Sequence, residues 1–129
     1  MREILFRGKS EKFENWIEGS LIVGRDLESG QLEYLIAPLS AYYTEVKKVV
    51  PETVGQYTGL TDKNGAKIFE GDIVMFGFSP CVVKYDFENG RYMFYDRCIY
   101  LKNGFNVDTM KTKEVVGNIT DNPELLGGE

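Results

Sequence analysis

Residues 81–98 read Cys81-Val82-Val83-Lys84-Tyr85-Asp86-Phe87-Glu88-Asn89-Gly90-Arg91-Tyr92-Met93-Phe94-Tyr95-Asp96-Arg97-Cys98. Asn89-Gly90 favours the primed turn of a two-residue β-hairpin, because both residue types tolerate positive φ. With that turn, paired residue numbers sum to 179: Glu88 faces Arg91, Phe87 faces Tyr92 and Tyr85 faces Phe94. One face then gathers Cys81, Val83, Tyr85 and Phe87 against Tyr92, Phe94, Asp96 and Cys98, and seven of these eight are apolar. A half-buried sheet demands that segregation. A three-residue loop would put Arg91 and Arg97 among the core residues, whereas a four-residue loop would preserve both faces. The stretch therefore decides for a β-rich fold.

Two site expectations follow from the same register. Cys81 and Cys98 would lie opposite each other in a non-hydrogen-bonded pair, where Cα atoms are ~4.5 Å apart and a disulfide is within reach. They form a candidate redox pair, set against the plainer reading of two buried, inert thiols. On the second face, Val82, Met93 and Tyr95 would make an apolar island among Lys84, Arg91 and Arg97. Such an island is either covered by the same chain or a candidate interface for a partner.

Working outward, short strands are expected over Glu3–Arg7, Trp16–Val23 and Gln31–Ala37, separated by a polar turn at Lys9–Asn15 and a Ser29-Gly30 turn. Ser40–Val50 fits either helix or strand before Pro51 stops it. Asp62-Lys63-Asn64-Gly65 and Glu70-Gly71-Asp72 are tight turns, the second feeding a strand at Ile73–Phe76. Val115–Thr120 gives a last strand, and Asn122-Pro123 opens a short terminal helical turn capped by Asn122.

The chain has 129 residues, 43% hydrophobic and 13% aromatic, which suits one domain or two small packed ones. Twenty acidic against fifteen basic residues leave a net charge of −5, which disfavours nucleic acid as a partner. Lys47-Lys48, the densest cationic stretch, reads as a solvated edge. No apolar run suggests an export signal or a membrane span, so a cytoplasmic protein with reduced thiols is expected.

The central run Gln56-Tyr57-Thr58-Gly59-Leu60-Thr61-Asp62-Lys63-Asn64-Gly65, followed by Ile68-Phe69-Glu70-Gly71-Asp72-Ile73-Val74, closely resembles the signature of the YopX family. The approach Val50-Pro51-Glu52-Thr53-Val54-Gly55, the opening Arg2-Glu3-Ile4-Leu5-Phe6-Arg7 and the closing stretch Val116–Leu126 are also similar to its members. The resemblance implies a phage or prophage protein made in the cytoplasm of a bacterial host cell. The family has no assigned activity, so no catalytic residue carries over. A Gly-Asp-hydrophobic strand start followed by a hairpin further resembles an SH3-like barrel.

The chain contains no His, which removes His-based nucleophilic catalysis and His-ligated metals. The two cysteines form no Cys-x-x-Cys pair. Asn64-Gly65-Ala66-Lys67 lacks the glycine spacing of a phosphate loop, and Glu70 with Asp72 reads as a solvated turn rather than an acid–base pair. The expectation is an α+β, predominantly β chain with an N-terminal β-rich module (1–55) and a C-terminal SH3-like barrel (56–129). No catalytic, metal or cofactor site is expected. Its function is expected to be non-enzymatic protein–protein interaction with a host or phage protein, or self-association. The alternative is nucleic-acid binding, with Tyr and Phe of the barrel stacking on bases.

Overall fold

A computed structural model of the chain describes residues 3–39, 45–95, 100–101 and 110–127. The chain divides into two compact units, Met1–Gln56 and Tyr57–Glu129. Both are built from antiparallel strands.

In the first unit the strands are β1 (Phe6–Lys9), β2 (Trp16–Arg25), β3 (Leu32–Pro38) and β4 (Lys47–Lys48), in the order β4-β3-β2-β1. Gly55 and Gln56, which begin β5 (Gly55–Thr61), pair with Arg7 and Phe6 at the β1 edge. The β1–β2 register, Phe6↔Gly19 through Lys9↔Trp16, sets Phe6, Gly8 and Ile17 on one face and Arg7, Lys9, Trp16 and Glu18 on the other. The first face is the core: Ile17, Ile36 and Val49 are buried, with Phe6, Leu21, Tyr34 and Val54 packed around them. Two glycines allow this packing. A Cβ on Gly8 would stand 3.0 Å from Val49, and one on Gly19 only 1.9 Å from the Ala37 carbonyl oxygen.

The ambiguous stretch before Pro51 resolves as extended where it is described. Lys47 and Lys48 pair with Ile36 and Leu35, and Val49 bridges to Ser10. Residues 40–44 lie outside the described residues. Pro51–Thr53 then form a single 3-10 turn, in which Thr53 Oγ1 donates to the Val50 carbonyl and accepts the Lys9 N–H.

In the second unit the rest of β5 pairs with β6 (Lys67–Phe69) across a bulge. β7 (Asp72–Phe76), β8 (Ser79–Asp86), β9 (Arg91–Tyr95), β10 (Tyr100–Leu101) and β11 (Val115–Asn118) form a sheet ordered β10-β9-β8-β7-β11. Its core holds Ile68, Val74, Cys81, Val83, Phe94 and Met110, with Leu60, Phe76 and Val115 against them. The expected SH3-like barrel is not closed. β11 joins at β7 and β10 at β9, so these two strands are opposite edges of an open sheet. The α component is also smaller than expected. Among the described residues the complete helical elements are two single 3-10 turns, Pro51–Thr53 and Pro123–Leu126.

The β8–β9 hairpin keeps the expected faces with a different register. Asp86 pairs with Arg91, Tyr85 with Tyr92 and Val83 with Phe94, leaving a four-residue loop, 87–90. Asp86 explains the change. Its Oδ1 accepts the N–H groups of Glu88 and Asn89 at 3.1 and 3.4 Å, and the Gly90 N–H donates to its carbonyl at 2.8 Å. Only Gly90 takes positive φ (+65°), whereas the two-residue primed turn requires it of Asn89 as well.

Candidate functional site

Two of the three residues of the hairpin's apolar island are not at the surface. Val82 is 5% and Met93 2% exposed, so both are taken up by the chain's own packing. The side chain of Tyr95 lies outside the described residues. Cys81 is fully buried and donates weakly to the Ser79 carbonyl at 3.7 Å. Cys98 lies outside the described residues, and the observed register no longer leads to the pairing on which the redox expectation was built. A partner surface must be sought elsewhere.

Of the Glu70–Asp72 pair, Asp72 is taken up by backbone rather than solvated, and Asp62 is held in the same way. Asp72 is 2% exposed and its Oδ2 accepts the Phe69 N–H at 2.8 Å, fastening the turn that starts β7. Asp62 is equally buried in role: Oδ1 accepts from Asn64 and Ala66, and Oδ2 from Val115 across 53 residues of chain. Burial pushes the Asp62 carboxyl up, but those three N–H groups and the Lys63 charge outweigh it and hold it below its ordinary value. Such groups shape turns. Among the described residues no three thiols or carboxylates converge to hold a metal ion.

What the structure does offer lies in the first unit, around the β1–β2 turn. Ser10 is buried there, and its backbone N–H donates to the Asn15 carbonyl at 2.8 Å. Its Oγ accepts the Phe13 N–H at 3.1 Å, which fixes the turn and holds Phe13 outward, 66% exposed. Glu14 closes the turn with φ +59°, the one non-glycine in the left-handed region among the described residues.

Phe13, Trp16 and Ile17 on this side, and Pro38, Leu39 and Lys47 on the other, line a groove of ≈ 540 Å³. Leu39 is 71% exposed. Glu18 and Lys47 put both signs of charge on the groove's own lining, with Ser10 and Asn15 as neutral polar neighbours, and further charges lie nearby. Lys47 pairs with Glu45 at 3.4 Å and Lys48 with Glu11 at 3.9 Å, while Arg7 and Lys9 lie 4.7 and 5.9 Å from the Trp16 ring centre. Apolar side chains mixed with polar groups of both charge signs are the composition of a protein-docking patch rather than of a phosphate track. The Lys47-Lys48 pair, each with an acidic neighbour, does not form a cationic stripe.

The site is not legible in the sequence, because Lys9–Asn15 is mostly polar and has the composition of a turn. The available signal was Phe13, an aromatic residue within that polar stretch.

Comparison with known proteins places these features in a family context. The family described as YopX protein matches residues 5–127. No curated protein matches the chain. Among solved structures, the crystal structure of protein EF1440 from Enterococcus faecalis aligns with a TM-score of 0.61 at 23% identity. The alignment covers 98% of this chain and 99% of that one, and at this identity the likeness shows the fold. Among the described residues no helix is long and apolar enough to cross a membrane.

Proposed function

The chain belongs to the YopX family, and from that premise we propose that it is a non-enzymatic interaction protein whose first unit docks a partner protein in the groove beside Phe13. It acts in the cytoplasm of a bacterial host cell as the product of a phage or prophage gene. The observation that carries the reading is the exposure of Phe13 and Leu39 across a groove wide enough for an apolar anchor side chain. Aromatic anchors seated in pockets dominate the binding energy of such interfaces. The experiment is affinity capture from host cells with wild-type protein and Phe13→Ala side by side. A specific partner should be captured by the wild type and weakened by roughly 30-fold or more in the variant, the range of a hot spot. Equal capture by both, with both proteins equally stable, removes the groove from the interface.

A second reading, nucleic-acid binding through the second unit, draws on two almost fully exposed rings, Phe78 and Phe87. Phe87 stands edge-on to Tyr85 at 5.1 Å. Stacking platforms of this kind bind single strands in a salt-dependent way. A gel shift at low salt that disappears in Phe87→Ala supports it, and the absence of any shift eliminates it.

A further inference from the structure

The first unit carries a second feature, independent of the groove. β2 is ten residues long, but β1 covers it only as far as Gly19, opposite Phe6. From Ser20 to Arg25 the side of β2 away from β3 has no strand partner among the described residues. The ladder tells which residues face that open edge. Asp26 N–H donates to the Gln31 carbonyl, so hydrogen-bonded pairs along β2–β3 fall at Gly24↔Glu33, Ile22↔Leu35 and Ser20↔Ala37. The residues between them, Leu21, Val23 and Arg25, turn their N–H and C=O groups outward. The same alternation on β3 turns Tyr34 outward, where its carbonyl accepts the Val49 N–H at 2.9 Å. An edge with three outward residues in succession is a template for one more antiparallel strand.

We infer that this edge pairs with the same edge of a second copy of the chain, β2 against β2, about a two-fold axis at Val23. The occupant is identified by self-complementarity. With Val23 opposite Val23, Leu21 lies opposite Arg25 of the second copy and Arg25 opposite its Leu21. All three outward residues on each strand are then used, in about six hydrogen bonds. Shifting the register by two residues in either direction leaves only two of the three pairs. In the two-fold register the close, non-hydrogen-bonded pairs are Ile22 opposite Gly24, twice. Ile22 is 42% exposed, and a Cβ at Gly24 would meet nothing within 4 Å, so each protrusion faces an open position on the other copy. Val23 is 49% exposed, and at the axis it forms a β-branched cross-strand pair. Both strands are already ordered within their own hairpins, so pairing carries little ordering cost. An isologous contact of this kind closes as a dimer and does not propagate.

Sedimentation equilibrium over a concentration series, combined with cysteine cross-linking, tests this in the full chain. The wild type should show a monomer–dimer equilibrium, and Val23→Pro, which removes an outward N–H and no β2–β3 hydrogen bond, should be monomeric. Val23→Cys should give a disulfide-linked dimer on mild oxidation, because a hydrogen-bonded antiparallel pair holds Cα atoms ~5.5 Å apart, within disulfide reach. Leu32→Cys, on the other strand of the hairpin, should not cross-link, and the oxidised wild type controls for the native cysteines. A wild type that is monomeric throughout overturns the inference. So does a dimer in which Val23→Cys fails to cross-link, since that dimer uses another surface. Where Val23→Pro does not fold, the cross-link decides alone.

Discussion

Replacing Asp62 tests whether one buried carboxylate fastens the second unit together. Asp62 is 5% exposed and accepts three backbone N–H groups, from Asn64 and Ala66 at 2.9 Å and from Val115 at 3.0 Å. Asp62→Ala deletes the acceptor and leaves the donors in place. A donor left unsatisfied costs roughly 1–3 kcal/mol when buried. Asn64 and Ala66 lie in an exposed turn where water takes over, so each falls at the low end; Val115, half-buried at the start of β11, falls nearer the middle. The total is about 3–4 kcal/mol. Asp62→Asn keeps one oxygen but turns an NH2 towards a donor, for about 2–3 kcal/mol. The carboxyl sits below its ordinary value of 3.8. Its contribution is therefore complete above that pH and is lost as pH falls through the lower folded value. Urea denaturation of the three proteins across a pH series reads all of this. The midpoint should drop in both variants with the slope unchanged, and the gap between wild type and Asp62→Asn should narrow in acid. An Asp62→Ala protein within about 0.5 kcal/mol of wild type, the range of an ordinary surface change, refutes the reasoning. So does a wild-type–Asn gap that ignores pH.

Two further outcomes follow from backbone geometry. Gly19→Ala places a Cβ 1.9 Å from the Ala37 carbonyl oxygen, so β2 and β3 must part; a loss of about 2 kcal/mol or more, at the upper part of the overpacking range, should appear in the same denaturation assay. Glu14→Gly relieves a left-handed residue (φ +59°) whose strain is ~1–2 kcal/mol, set against ~0.5–1 kcal/mol for the freer unfolded chain, so the melting temperature should rise slightly.

The hairpin shows what sequence can and cannot say here. Alternation of apolar and polar residues over 81–95 reports which residues share a face, because successive side chains point to opposite sides. Val83, Cys81 and Phe94 are core as that pattern requires, but Val82 and Met93 on the second face are buried too, and Phe87, expected with the core face, stands in the loop 88% exposed. Loop length is not reported by alternation, since two- and four-residue loops keep the same parity. It is set by the Asp86 carboxylate gathering the loop's N–H groups, a choice invisible to turn propensity. The island of Val82 and Met93 was legible as apolar, but what a surface meets is a tertiary matter. β5 escaped because Gln56–Thr61 mixes Gly and Thr with one buried Tyr and gives no clean period. At the terminus Asn122 precedes the helical turn as expected, yet its Oδ1 accepts the Asn118 N–H at 3.2 Å instead of capping. The groove depended on residues from three separate segments, and only Phe13 hinted at it.

The position of β11 beside β7 bears on how the chain is made. β7, β8 and β9 are neighbours both in sequence and in the sheet, so they can pair as soon as they emerge from the ribosome. The second side of β7 waits for Val115–Asn118, roughly 40 residues later, which at about 5–20 residues per second is a delay of several seconds. During that interval a strand containing Ile73 and Val74, both fully buried in the finished protein, presents an unpaired edge. Nascent chains stalled between β10 and β11 should therefore be the aggregation-prone species, and crowded translation on one message the condition that reveals them.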